Sequence, residues 1–403
     1  MTRRGRLVLA LGVLAYAAAW LFGATSVYAA AAGLVLAPLG ARAWVRVCVV
    51  PIALGRRPGR GTLLEGEDVW VRLEAQPRTR IPLPSLRVRE RLARLGVQDV
   101  PLRRDRRAHR GTYVLERVPR GRYVVEEATA TIEDPFGLAR AEVALDPGPS
   151  LLVYPRLVEL DALFSESGAN AQDGRRLLLR RPTGFDLHSV REYERGESLR
   201  KVHWPTTARR GQLMVKELED APRDEVAVVL DGDRTGAVGG SFDAGVRAAG
   251  SILRTHAARG RRSVLVLNAG RSEVVHVASL EGDFRAALAV LAGAEPDADR
   301  PVVELLGREG GSAARALELV VVTSRLTPQL ARKLVQRALQ SHGVSLVWVD
   351  AASFAGRATK VDPELLRVQA AGVPVAVVRA GDDLRTALRG APARRPAREA
   401  VGA

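Results

Sequence analysis

Residues 7–23 (LVLALGVLAYAAAWLFG) and 24–41 (ATSVYAAAAGLVLAPLGA) carry no charged side chain. Arg3, Arg4 and Arg6 precede them, and Arg42, Arg46, Arg56, Arg57 and Arg60 follow. Each run approaches the roughly 20 apolar residues that cross a hydrocarbon core as a helix. Within lipid, a helix satisfies its own backbone N–H and C=O groups, which an open strand does not. The pair predicts a helical hairpin with a short external turn near residues 23–26. Positive charge at both outer ends puts both in the cytoplasm. Trp20, Tyr28 and Trp44 suit the two interfaces. A secretory signal peptide is the rival reading, with an Ala-x-Ala-like site near residues 27–29. The apolar run continues well past that site to an Arg cluster, which favours the hairpin. Pro38 and Gly40 are expected to interrupt the second span.

The chain has 403 residues, 47% hydrophobic and 26% charged, enough for two or three folded domains. Its formal charge is +16, and Lys occurs only at positions 201, 216, 333 and 360 among 61 basic residues. Such an excess of Arg, with abundant Ala, Gly and Val, is the pattern a GC-rich bacterial genome leaves. The Arg residues are interleaved with Asp and Glu and aromatics are only 4%, which argues against a nucleic-acid binder. The single Cys48 excludes an intrachain disulfide and a thiolate metal site. It reads as a small apolar residue of a membrane-proximal helix.

Residues 61–158 change to short runs of period two: 68–73, 111–117, 122–132 and 139–145. Gly and Pro mark the gaps, as in Asp134-Pro135-Phe136-Gly137. This predicts a β-rich, sandwich-like antiparallel domain. The Arg-rich stretch 86–106 reads as irregular edge or loop. No catalytic constellation stands out, and a passive spacer is the plain reading.

Residues 159–220 hold an unusual segment, with Phe185, Tyr193, Trp204, Leu213 and Val215 as expected core anchors. Arg191, Glu192, Glu194, Arg195, Glu197, Arg200, Lys201, Arg209 and Arg210 surround them, and residues 194–197 read as a tight turn. Arg forks bind carboxylates in pairs and stack on aromatic rings. Two readings stay open: a docking face for a partner protein, built on Arg191, Glu192, Tyr193, Glu197, Arg200, His203, Trp204 and Arg209, or a structural brace. His203 and Ser189 would be the pieces of a hydrolase, but no nucleophile is linked by position to His203.

Residues 221–389 alternate buried strands with amphipathic helices. Strands are expected at 225–231, 263–268, 273–278, 317–323, 345–350 and 374–379; helices at 242–259, 283–294, 328–341, 363–371 and 382–389. Phe242, Val246, Ala249 and Leu253 share one helical face. The pattern predicts an α/β doubly wound, mainly parallel sheet, whose ligands sit at the carboxyl ends of strands. There stands Asp231-Gly232-Asp233-Arg234-Thr235. A carboxylate with two more oxygens two and four residues on invites comparison with the Mg2+ loop of von Willebrand factor A domains. Asp231, Asp233 and Thr235 are the candidate metal ligands, and a strand-end turn is the plain alternative. The fourth strand ends Thr323-Ser324-Arg325, where that comparison expects an Asp. No Gly-rich phosphate loop is present. Residues 390–403 read as a basic tail.

The string Arg191-Glu192-Tyr193, Gly196-Glu197, Leu199-Arg200, Val202-His203-Trp204, Thr207-Ala208-Arg209 and Leu213-Met214-Val215-Lys216-Glu217 resembles the domain of unknown function 58 family of bacterial membrane-anchored proteins. Asp134-Pro135-Phe136-Gly137-Leu138 and Val153-Tyr154-Pro155-Arg156 are similar to that family as well. Glu197 stands where many members carry Asp. The resemblance implies two membrane helices, a β-rich domain and a von Willebrand A-like domain. It also implies association with a MoxR-type AAA+ ATPase and an adaptor role toward a client protein, with no established catalysis. The expectation is therefore a non-enzymatic adaptor in the bacterial cell membrane with cytoplasmic soluble domains. The alternative is an Mg2+-dependent protein-binding module.

Overall fold

The two uncharged runs form helices α1 (Arg3–Phe22) and α2 (Tyr28–Val47), joined by one 3-10 turn at Thr25–Val27. This computed structural model describes residues 1–59, 61–78, 83, 85–106, 108–165, 186–193, 202–219, 226–307, 311–340, 343–359 and 362–389, the side chains of 186–192 and 215–219 excepted. Both helices are long and apolar enough to cross a membrane. Gly5, Gly12 and Ala19 of α1 and Ala31, Pro38 and Val45 of α2 are buried. In each helix these buried residues recur every seven positions, along one face; Gly12 meets Leu34 and Val35 of α2, and Gly5 meets Leu138 of the β unit. The expected interruption at Pro38 does not occur. The helix runs on to Val47 with Pro38 buried, a placement membrane helices tolerate.

The chain divides into two units, Met1–Arg156 and Leu157–Ala403. In the first, a curled seven-stranded antiparallel sheet has the order β1-β3-β6-β5-β4-β8-β9. Its strands are β1 (Ile52–Pro58), β3 (Val69–Pro77), β4 (Ser85–Leu92), β5 (Gly96–Asp105), β6 (Ala108–Leu115), β8 (Val125–Glu133) and β9 (Arg140–Ala144). A three-stranded sheet joins β2 (Leu63–Leu64), β10 (Leu151–Tyr154) and β7 (Gly121–Tyr123). Residues 122–132, expected as one strand, thus divide between two sheets. The stretch 86–106 is not loop but the strands β4 and β5. In β4 every second residue points inward, and one of these is Glu90, fully buried. Its charge is met by Arg56 Nε at 2.6 Å and by the Tyr113 hydroxyl, which donates to Oε2 at 3.1 Å. Cys48 does not belong to the helix packing. It caps α2 and is buried in the core of the β unit.

The second unit is built on six strands: β13 (Val226–Asp231), β14 (Ser263–Asn268), β15 (Glu273–Val277), β16 (Glu318–Thr323), β17 (Gly343–Val349) and β18 (Val375–Val378). Their order is β15-β14-β13-β16-β17-β18, parallel throughout except for the edge strand β15. Both faces of the sheet are covered. One packs on the helix Ser241–Ala258, where Phe242, Val246, Ala249 and Leu253 are buried. The other packs around Leu330, Ala331 and Leu334 of the helix Pro328–Leu339. Strands buried on both sides explain their unbroken runs of Val and Leu. Residues 157–164 lie across the helix Ser241–Ala258. Leu160, Leu163 and Phe164 join its core, and the Val158 N–H donates to Ser251 Oγ at 3.1 Å.

Candidate functional site

Strands β13 and β16 are neighbours, while the chain leaves β13 toward β14 on its other side. At such a reversal the connections diverge and a crevice opens beyond the carboxyl ends of the strands. Asp231 closes β13 there and is 5% exposed. Its Oδ1 accepts from Asn268 Nδ2 at 2.9 Å and from the Asp233 N–H at 3.2 Å. Its Oδ2 accepts from the Thr323 hydroxyl at 2.8 Å. Burial pushes the Asp231 carboxyl above the usual range, opposed by the Asn268 and Thr323 hydrogen bonds.

Asp233 lies in the turn beyond. Its Oδ1 accepts from both the N–H and the hydroxyl of Thr235, each at 2.8 Å. Its Oδ2 accepts from Arg325 Nη1 at 3.0 Å, and the same nitrogen donates to Thr235 Oγ1. Burial alone would raise this carboxyl, but the Thr235 donors and the Arg325 guanidinium outweigh it and hold it low. Arg234 points elsewhere, to Asp299 Oδ1 at 3.4 Å. One strand over, Asp350 is buried, bound by the Thr359 hydroxyl and 3.7 Å from Arg379 Nε.

The sequence thus brought Asp231, Asp233 and Thr235 to one place. Asn268, Thr323 and Arg325 complete the cluster; of these, local spacing gives no sign of Asn268. The missing carboxylate after β16 was the available signal, because Arg325 answers it from that position. A bound Mg2+ demands about six oxygen ligands in near-octahedral array. Here both Asp231 oxygens face N–H or O–H donors, and a guanidinium links Asp233 to Thr235. As arranged, the set does not fit a divalent ion. Among the described residues no group of three His, Cys, Asp or Glu side chains could hold a metal.

The second candidate region begins with β11 (Asp186–Glu192), paired antiparallel with β12 (Met214–Glu219). Arg191 and Glu192 stand at the end of β11; Glu197 and Arg200, with the expected turn at 194–197, lie outside the described residues. Tyr193 is half-buried, and its N–H donates to the Leu213 carbonyl at 2.9 Å. A short helix, Trp204–Arg210, follows His203. The His203 N–H donates to the Met214 carbonyl at 2.8 Å, and Met214 N–H donates to Thr207 Oγ1 at 3.0 Å. Val202 and Met214 are buried. Nδ1 of His203 is 2.7 Å from Thr206 Oγ1, a local bond that turns the ring toward its own helix.

Two expected core anchors are not in a core. Trp204 is 65% exposed and Leu213 41% exposed. The helix buries no side chain, because its backbone is held by His203, Thr207 and Met214 instead. Arg209 is exposed on the same helix. Phe185 lies outside the described residues, as does the side chain of Val215.

The sequence model of the family described as "Protein of unknown function DUF58" matches residues 189–359, from the β11–β12 segment through the strand-end cluster. The uncharacterized protein YeaD of Bacillus subtilis (strain 168) is 26% identical over 224 residues, covering 54% of each chain. The chain therefore spans about half the length of that relative. Among solved structures, Cwp6 from Clostridium difficile aligns over 73% of this chain and 37% of its own, at 8% identity and a TM-score of 0.20. A match at that score carries no argument about the fold.

Proposed function

We propose that this chain is a membrane-anchored, non-enzymatic adaptor whose segment 191–209 docks a partner protein. The observation that carries the reading is Trp204, exposed on a helix with a pinned backbone. Trp204 and the exposed Arg209 share this helix, and Trp and Arg are the residue types that dominate binding hot spots. The two apolar helices would hold the chain in the cell membrane with its soluble units in the cytoplasm. The partner that the family resemblance implies is a MoxR-type AAA+ ATPase, acting with this chain on a client protein. We read the second unit as von Willebrand A-like; its six-strand order, with one antiparallel edge, supports that reading. Arg325 speaks against the metal-dependent alternative.

The test is a crosslinking pull-down from native membranes, comparing wild type with Trp204→Ala at matched levels. Loss of a central Trp from an interface typically costs 2 kcal/mol or more, roughly a 30-fold loss of affinity. Recovery of an AAA+ ATPase with wild type and its loss in the variant is the expected result. Equal recovery would move the docking face away from Trp204.

A further inference from the structure

The amino end of α1 is fastened to the turn between β8 and β9. The Thr2 N–H donates to the Leu138 carbonyl at 3.0 Å, and the Thr2 hydroxyl donates to the Gly137 carbonyl at 2.6 Å. The Leu138 carbonyl sits so close to Gly5 that a Cβ there would overlap it. The turn itself is rigid. Asp134 is buried, and its carboxylate accepts from the N–H groups of Phe136 and Ala139. Held out from this frame, Phe136 is 79% exposed.

Leu7, where the uncharged run begins, is two residues beyond Gly5, or about 3 Å along the helix axis. Arg3, Arg4 and Arg6 are exposed at the same level. The carboxyl end of α2 returns to this side with exposed Trp44, Arg42 and Arg46 before entering β1. Exposed aromatics and Arg at the ends of apolar helices are what the headgroup layer of a bilayer accommodates.

We propose that the turn 134–138 is a membrane-contact element and that Phe136 inserts into the headgroup–acyl boundary beside α1. The proposal rests on the reading that α1 and α2 span the membrane. The occupant of the exposed ring is then the bilayer itself, because the turn is bonded to the helix at the depth where hydrocarbon begins.

The experiment is nitroxide depth measurement on the full chain in phosphatidylcholine–phosphatidylglycerol nanodiscs. Cys48, the sole Cys, is changed to Ala, and single Cys residues replace Phe136, Leu14 or Val97; native Cys48, being buried, provides a second background. Leu14 is exposed in the middle of α1. Val97 pairs with Arg91, which pairs with Glu127, six residues along β8 from Glu133. It therefore lies about 20 Å from the turn and serves as the water control. The ratio of oxygen to nickel-chelate collision rates at 136 is expected several-fold above that at 97 and below that at 14. A ratio at 136 equal to that at 97, with 14 in hydrocarbon, overturns the proposal and leaves the membrane reading standing. A water-like ratio at 14 overturns both.

Discussion

Arg325 Nη1 lies 3.0 Å from Asp233 Oδ2, so the turn after β13 is closed by a side chain from the turn after β16. The Arg325 side chain is 51% exposed and that of Asp233 19%. A half-exposed pair of this kind contributes at most about 1 kcal/mol. Arg325→Ala is therefore expected to fold, with Asp233 and Thr235 released. Asn268 and Thr323 still occupy Asp231 in the variant, so neither wild type nor Arg325→Ala should show saturable Mn2+ binding by electron paramagnetic resonance, and the wild-type melting temperature should ignore chelators. Saturable Mn2+ binding by wild type that is lost in Asp233→Asn would refute the assignment of Arg325 as the resident cation.

The loop that carries Asp233 leaves no room at its first residue. A Cβ on Gly232 would lie 2.5 Å from the Asn268 carbonyl oxygen, to which the Gly232 N–H already donates at 2.8 Å. Gly232→Ala must push β13 and β14 apart at their ends or break that bond. Overpacking of this kind typically costs about 1–3 kcal/mol. Thermal denaturation of the full chain in detergent should show the loss, and an unchanged melting temperature would mean that the loop is softer than its contacts imply.

Acid sensitivity should trace to His256. It is fully buried beneath the sheet, and burial, with Arg261 and Arg259 nearby, pushes its pKa from 6.5 down to about 3. The unfolded chain binds a proton below pH 6.5 that the fold refuses, so stability falls as pH drops from 6.5 toward 3. The slope attributable to one such group is about 1.4 kcal/mol per pH unit. Denaturant titrations between pH 7 and 4.5 should show this slope in wild type and a flatter one in His256→Leu. Parallel curves would remove His256 as the cause.

In the β unit, Glu90→Ala leaves Arg56 buried with no carboxylate. Removing one partner of a buried pair typically costs about 3–5 kcal/mol. The double change Arg56→Met/Glu90→Leu removes both charges and should recover most of that loss. Circular dichroism melts of wild type and the two variants decide it; equal losses in the single and double variants would show that the charges do not carry the effect.

The same residue explains where the sequence misled. The stretch 86–92 alternates inward Leu86, Val88 and Leu92 with outward Arg, but Glu90 at the third inward position interrupts the apolar set and the density of Arg suggests loop. The partner that makes Glu90 tolerable, Arg56, is 34 residues away and on another strand. The second unit was far more legible, because parallel strands buried on both faces announce themselves as runs such as 226–230. At the candidate site, local spacing identified Asp231, Asp233 and Thr235, but Arg325 reaches them across 92 residues, a relation that only the strand order creates. Trp204 departs from expectation for a different reason: aromatic content suggests burial, and nothing local tells that backbone hydrogen bonds, rather than its ring, secure the helix.

Cys48 is buried in the β unit while Val47 still belongs to α2, and β1 begins at Ile52. No slack separates the helix from the sheet. In a bilayer this joint would act as a post rather than a leash, fixing the height and heading of the first unit above the lipid surface. The first unit would then hold one altitude, without the wide sampling of space that a long flexible tether brings.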